Sequence, residues 1–486
     1  MATRRYAATA DNTITNAFKE SLTTRGTGSN MGQADVSEVF SIYARASTSS
    51  AELSRVLTQF DVDTISSDRT AGTIPASGSV SFYLRLFNAE TTKTVPKNFT
   101  IVAQAISKSW DEGDGLDLEN YKDAGKSNWL SASSTVAWDS AGGDYHTVPV
   151  YTQTFSTGLE DLEIDISGLV EQWIAGTKTN YGVGLRLTSS LEASSSANTS
   201  GATSSYYTKR FFARGTQYFF KKPVIEARWD SSTQDDRGDF YYSSSLAPAS
   251  DNLNTIYLYN FVRGRLTNIP GVGTGNIFVD LYSGSASPTG SSLTQALETP
   301  ATGGYVSTGI YSCSVCITAA ATPLTKLFDV WYSGSTQYFT GTISPITHYA
   351  VAASTGNTRY VTNIKNLRNK YFSQEEARFN VYVRNKNWSP TIYTVASSEI
   401  ENTIIQSASY RVYRVLDGYN AIPHGTGSDL QTILSYDVSG NYFNLDMSLL
   451  EPGYEYGIKL AFYDSQRNTW IEQDKKFLFR VEDYEY

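Results

Sequence analysis

The stretch from Ser81 to Phe87, Ser-Phe-Tyr-Leu-Arg-Leu-Phe, alternates polar and apolar side chains, so Phe82, Leu84 and Leu86 share one face of an extended strand. Period-two segments of this kind recur along the whole chain, and they restrict its fold more than any other feature. In the first 230 residues they are read at 36–43, 53–62, 80–87, 99–106, 148–155, 182–187, 208–212 and 224–229. Beyond that they are read at 255–261, 277–282, 309–318, 326–332 and 338–343, and again at 377–383, 409–416, 432–437, 442–445, 454–463 and 476–481. Such a chain is expected to be all-β. Its aromatic residues agree, with 34 Tyr against 3 Met, because Tyr suits a pleated, half-exposed surface. One segment breaks the pattern. Ile166, Leu169, Val170 and Trp173 fall at i, i+3, i+4 and i+7, which predicts a short amphipathic helix capped by Asp165 or Ser167.

A length of 486 residues exceeds what a single core supports, so several modules are expected. Residues 1–230 read as a large, jelly-roll-like β-sandwich, 231–250 as a Ser- and Asp-rich linker, and 251–350 as a smaller β domain. A second linker at 351–367 then leads to a last domain at 368–486. About 100 residues with several short strands fit an immunoglobulin-like sandwich. The Ser-rich stretch 187–206 has little to bury and is expected to be a mobile surface loop. Leu449-Leu-Glu-Pro-Gly-Tyr-Glu-Tyr456 resembles the turn that opens a late strand in fibronectin type III domains. That resemblance implies a tyrosine-corner bond from Tyr456, ahead of Tyr454.

Charge restricts the partners. Lys and Arg number 39 against 48 Asp and Glu, a net charge of −9, which opposes the positive field that general nucleic-acid binding needs. No apolar run approaches the ~20 residues that span a bilayer, so membrane insertion is not expected. The first residues carry two arginines and no signal-peptide core, which predicts a protein made and kept in a cytosol. The only cysteines, Cys313 and Cys316, form a C-x-x-C inside a strand-like run, where residues three apart point to opposite faces. A buried structural role is therefore expected for them.

Residues 6–230 resemble the DNRLRE-type β-sandwich modules, which are related to carbohydrate-binding modules. The matching pieces run in family order: Asp11 with its preceding Ala-Thr-Ala, Met31-Gly32, and Arg55 through Asp61. Then come Trp110 through Gly113, Trp138 through Tyr145, the 165–173 helix with Asn180 and Gly182, and Phe212 through Gly215. The family ends its late motif with Ser-Arg-Glu, whereas Ala213-Arg214-Gly215 has no acid, so a bond or ion held by that acid is not carried over. The opening residues and the tandem layout also resemble virion structural proteins of contractile-tailed marine phages of the cyanophage type. That resemblance implies a neck, collar, tail or fibre component, assembled in the host cytoplasm with copies of itself and other virion proteins.

Candidate chemistry is sparse. Asp111, Glu112, Asp114 and Asp117 lie in one acidic stretch and are candidate ligands of a structural calcium ion, though their spacing is not that of an EF-hand. Trp129, Tyr206 and Tyr207 are candidate stacking platforms for a glycan, while Trp110, Trp138 and Trp173 are expected in the core. No nucleophile elbow accompanies His146 and Asp144, and no catalytic residue is assigned. Arg237-Gly238-Asp239 is expected to be a short polar turn. The expected function is structural assembly without catalysis, and the alternative is a glycan-binding adhesin module for host-surface attachment.

Overall fold

The computed structural model describes residues 2–116, 126–243, 246, 248–318, 324–346, 359–386, 402–426 and 429–484. Asp117 and residues 351–358 of the second expected linker lie outside them. The chain is all-β, built of sandwich- and barrel-like sheets, and divides into two compact units. One comprises residues 2–230 with 429–431, and the other 231–428 with 432–486. Among the described residues no helix is long and apolar enough to cross a membrane.

The first unit holds strands β1 (Thr3–Thr15), β2 (Val36–Tyr43), β3 (Ala51–Phe60), β4 (Ser81–Leu86), β5 (Phe99–Ile106) and β6 (Tyr145–Phe155). It continues with β7 (Leu162–Asp165), β8 (Val183–Leu187), β9 (Tyr206–Phe212) and β10 (Val224–Arg228). Their order is β6-β5-β8-β3-β1-β10-β4-β7, with β2 paired to β3 and β9. The sheet turns at β1: residues 3–7 pair with β10 and residues 8–15 with β3, across a register shift at Ala8–Ala10. Phe82, Leu84 and Ile225 from one half and Val56, Ile101 and Leu185 from the other fill a common core.

Helix α1 (Val62–Thr70) was not legible from periodicity, since it buries only Val62 and Ile65; Asp61 caps it by accepting from the Asp63 and Thr64 N–H groups. Helix α2 (Ser167–Ile174) sinks Leu169, Val170 and Trp173 into the core. The cap position is Ile166, which offers no capping oxygen, so neither expected residue caps the helix; Asp165, one residue before it, accepts from the Ser167 N–H at 2.8 Å. The Ser-rich stretch 187–206 is not the loose loop expected. Ala193 bridges Ala202, the Ala193 N–H donates to the Ser41 hydroxyl, and Glu192 is buried against Arg55.

The second unit begins with β11 (Asn254–Tyr259), β12 (Phe261–Val262), β13 (Arg265–Leu266), β14 (Ile277–Ser283), β15 (Ala301–Ser307), β16 (Ile310–Val315), β17 (Leu327–Ser333) and β18 (Thr336–Ile343). Six of these form one antiparallel sheet, β11-β16-β15-β14-β17-β18, curled over Ile256, Val279, Tyr311 and Trp331, while β12 and β13 form a separate hairpin. Cys313 and Cys316 are both buried, and burial pushes the Cys313 thiol up to about 12, which leaves it unreactive.

Residues 231–243 are not the linker the composition predicted. Their backbone fills the gap between the two ends of the curled sheet: the Ile346 N–H donates to the Phe240 carbonyl, and the Ser243 N–H donates to the Ile317 carbonyl. Phe240 is fully buried in the same core. Upstream, Gln234 forms a parallel bridge with Tyr436, and the Tyr436 hydroxyl donates to Asp236 at 2.8 Å. Low hydropathy hid these contacts because they are made by backbone and by paired charges. Arg237, in the expected polar turn, is held by the Asp329 carboxylate at 2.6 and 2.7 Å and donates to the Tyr257 carbonyl. A Cβ at Gly341 would lie 2.4 Å from both Arg237 and Asp329, so that position on β18 accepts only glycine beside the pair.

The last module contains β19 (Tyr360–Ile364), β20 (Lys370–Phe372), β21 (Glu376–Asn385), β22 (Ala408–Arg414), β23 (Asn420–Ile422), β24 (Ser435–Asp437), β25 (Gly440–Asp446), β26 (Glu455–Asp464), β27 (Thr469–Glu472) and β28 (Phe477–Glu482). Two sheets, β19-β21-β25-β24 and β20-β28-β26-β22-β23 with β27 on β26, form an immunoglobulin-like sandwich around Phe379, Tyr410, Phe443 and Phe479. Strand β19 occupies part of the second expected linker, so the module begins earlier than residue 368. The Tyr456 hydroxyl donates to the Glu451 carbonyl at 2.8 Å, whereas Tyr454 lies under the Arg414 guanidinium.

Candidate functional site

The far end of β1 is buried on both faces although it reads Asp11-Asn-Thr-Ile-Thr15, and its polar side chains organise the loops around it. Alternation along the strand places Asn12 and Ile14 on one face and Asp11 and Thr13 on the other. Asn12 donates to the Ser127 hydroxyl and carbonyl and accepts from the Met31 N–H. Asp11 accepts the Arg214 N–H at 2.5 Å, while its own N–H donates to Glu112. The Arg214 guanidinium grips Glu112 with both carboxylate oxygens at 2.9 Å. Asn30 accepts from the Gly115 N–H, and Gln33 donates to the Gly113 carbonyl. A Cβ on Gly32 would sit 2.2 Å from the Gly113 carbonyl oxygen, and one on Gly113 would sit 1.9 Å from the Asn30 side-chain oxygen, so the two glycines let the loop backbone and the Asn30 amide close on each other.

Four of the sequence motifs therefore meet in one polar knot: Asp11, Met31-Gly32, Glu112-Gly113 and Arg214. The others are seams of the same module. Arg55 donates to the Gly142 carbonyl, Trp110 donates to the Tyr181 carbonyl, and Asn180 donates to the Phe60 carbonyl. The carboxylate that Arg214 lacks in its own motif comes from Glu112, about 100 residues away in sequence.

Of the four expected calcium ligands, Asp117 lies outside the described residues, and the other three are placed as follows. Glu112 is committed to Arg214 and the Asp11 N–H, Asp111 is exposed, and Asp114 faces solvent 3.9 Å from Lys126. Among the described residues no three His, Cys, Asp or Glu side chains converge as a metal-binding group. Asp144 is likewise committed, accepting from the Asp139 and Ser140 N–H groups and pairing with Lys108.

The expected stacking platforms do not form one surface. Trp129 is buried with Trp110, Trp138, Ile14 and Leu57, and the Arg55 guanidinium lies 5.2 Å from its ring centre. Its flanking residues read as a loop, and only the tertiary packing reveals the tryptophan cluster beneath. Tyr206 leans on the main core, and Tyr207 alone is open, at 55% exposure. Trp110, Trp138 and Trp173 are all core positions.

Burial, reinforced by the neighbouring Glu112 carboxylate, raises Asp11 to about 6 despite its bond from the Arg214 N–H. A carboxyl whose pKa is higher in the folded than in the unfolded chain penalises the native state above that folded value. The penalty is relieved as pH falls from 6 toward 4, and amounts to about 3 kcal/mol at neutral pH. Asp11→Asn keeps an oxygen to accept the Arg214 N–H and removes the charge. The variant is expected to match or exceed wild-type stability at pH 8 and to lose the rise in stability between pH 7 and 5. Urea midpoints of the first unit measured across that range check this, and parallel wild-type and variant profiles would refute it.

A feature that sequence reading missed is a surface cleft of about 710 Å³ on the last module, between β19 and the β26–β27 hairpin. Arg359, Tyr360, Asp464, Glu472 and Lys475 are among its lining residues. Glu472 is held below the usual carboxylate range chiefly by its bond from Arg411, and burial lowers the nearby His424.

No protein-family model matches the chain, and no curated protein matches it. Ten solved chains match. One of them, the native conformation of Escherichia coli alpha-2-macroglobulin determined by cryo-EM, aligns with 93% of this chain at 9% identity and a TM-score of 0.16. The alignment spans 20% of that larger chain, and a score so low does not amount to a shared fold.

Proposed function

We propose that this chain is a non-catalytic virion structural protein of a tailed phage, a neck, collar, tail or fibre component that works by protein–protein assembly. The observation that carries this reading is how the polar motif residues are used. Asp11, Asn12, Asn30, Glu112 and Arg214 bind one another and the loop backbones around them. Groups with the chemistry to hold a ligand or an ion are thereby turned to rigidity. A module stiffened in this way, followed by further β modules, presents broad rigid surfaces, which is what assembly requires. The likeness of the opening residues and tandem layout to virion proteins supports the particle as the setting.

Mass spectrometry of purified particles is expected to find the chain at a stoichiometry above trace level. Particles that lack it would overturn the reading. Binding on a glycan array that is lost on Tyr207→Ala would instead move the function to host-surface attachment.

A further inference from the structure

The cleft on the last module is walled by two strands that each leave one edge unpaired: β19 pairs only with β21, and β27 only with β26. The register of β19 shows what its edge presents. The Lys386 N–H donates to the Arg359 carbonyl and the Lys365 N–H to the Asn380 carbonyl, so residues 359, 361, 363 and 365 turn their backbone groups to β21. Tyr360 and Thr362 therefore turn theirs to the open edge, and both residues line the cleft. Open donors and acceptors beside a groove are a template for one further strand.

Side chains give that strand two different faces to match. Toward the sandwich stand Thr362, Ile364 and Tyr360, whose ring meets the Phe462 ring edge-on at 5.5 Å. Toward solvent stand Arg359 and Lys365, with Lys386 across from Arg359, and Lys475 reaches the same face to donate to Asn363 at 2.7 Å. Two cations opposite one another on paired strands repel, and neither Arg359 nor Lys386 meets a carboxylate among the described residues. On the facing wall Glu472 is paired with Arg411 and Lys459, and Asp464 with Arg467, which leaves Asp474. Residues 359–386 hold seven Lys and Arg against two Glu, so the local field is positive although the whole chain is acidic. Screening makes the local charges the ones a ligand meets, since the Debye length is about 8–10 Å at moderate salt.

We infer that the β19 edge takes up an extended acidic segment of a partner protein as an added strand. Its alternate Asp or Glu side chains lie on the Arg359, Lys365 and Lys386 face, and the intervening apolar ones lie against Tyr360 and the cleft. Basic residues on an edge guard it against pairing with other edges. Such a guard repels a basic strand and attracts an acidic one, so here it selects the partner. A nucleic acid or an acidic glycan would meet the same charges but would leave the Tyr360 and Thr362 backbone unpaired. The inference goes beyond the assembly reading and does not rest on it.

Fluorescence anisotropy of a labelled Thr-Glu-Val-Glu-Val-Glu-Thr peptide against the full chain tests it. Saturable binding is expected, weakening about tenfold as salt rises from about 0.05 to 0.5 M. The same peptide N-methylated from its first to its last Glu keeps its charge but cannot donate ladder bonds, and should bind at least about tenfold more weakly. The double variant R359E/K386E should lose the acidic peptide and gain the version with Lys in place of Glu, while Tyr207→Ser, in the first unit, should leave binding unchanged. These side chains are exposed, so melting curves of the variants are expected to overlay wild type. Hydrogen exchange over residues 359–364 should slow when the peptide binds. Absence of saturable binding up to about 1 mM peptide would overturn the inference. So would unaltered binding by R359E/K386E, or unchanged exchange over 359–364. Equal binding of the N-methylated peptide would make the cleft a site for anions in general and would overturn strand addition.

Discussion

Replacing Arg237 by alanine is expected to destabilise the second unit by about 3–5 kcal/mol, because it strands the Asp329 carboxylate in the interior. Asp329 is fully buried, and its other hydrogen bond comes from the Trp331 indole N–H at 2.6 Å. The guanidinium satisfies both carboxylate oxygens and also the Tyr257 carbonyl on β11. It therefore links β11, one end of the curled sheet, to β17 near the other end. Arg237→Lys keeps the charge but loses the two-pronged geometry, so an intermediate loss is expected. The double variant R237M/D329L removes both charges and should recover part of the loss, since the penalty arises chiefly from the unpaired carboxylate. Denaturant unfolding followed by tryptophan fluorescence and far-UV circular dichroism reads the effect. Because the chain has two units, the first-unit transition should stay in place while the second moves. An Arg237→Ala midpoint equal to wild type would rule this account out.

The second large effect is expected at Glu226, where Glu226→Gln should cost about 3–5 kcal/mol by leaving three guanidiniums short of their shared anion. Ile225 and Ala227 of β10 face the core, and alternation turns Glu226 and Arg228 to the opposite face. There Glu226 accepts from Arg5 at 2.6 Å, from Arg85 at 3.0 Å and from Arg228 at 2.7 Å. Glu163 shares Arg85 and Arg228, so five charged groups from β1, β4, β7 and β10 form one network across the sheet. Burial alone would push the Glu226 carboxyl up, but the guanidiniums of Arg5, Arg85 and Arg228 hold it far below the usual carboxylate range. The sign follows from that direction. The stabilisation is complete above the unfolded-chain value of 4.5 and is lost as pH falls below it toward the depressed folded value. Wild type should therefore lose first-unit stability steeply below pH 4.5, and Glu226→Gln should show a shallower acid limb. Equal acid limbs in a pH series of urea midpoints would contradict the assignment.

Much of the strand framework was legible from local pattern. Alternation located β2 and β5 residue for residue, and the i, i+3, i+4, i+7 spacing located α2, because an apolar stripe with the right period needs a core on one side. Two of the missed strands share a cause. β1 buries Asp11, Asn12, Thr13 and Thr15 under other polar groups, and β15 reads Ala-Thr-Gly-Gly-Tyr-Val-Ser. Neither shows the apolar alternation that marks a strand. The candidate site was half legible. Its motif residues stood out in sequence, but the partners that gave them a role did not.

The sequence by itself determined the all-β class, the single amphipathic helix α2 and the burial of the cysteine pair, because each follows from residues within a few positions of one another. Tertiary structure alone decided three other matters. It turned 231–243 from a tether into the piece that closes a sheet, it placed Glu112 on Arg214, and it buried Trp129 beneath Arg55. In each, a polar or charged residue is satisfied by a partner far along the chain. Such pairing leaves no local periodicity, because a buried charge is tolerated wherever its counter-charge arrives, and only the folded chain brings the two together.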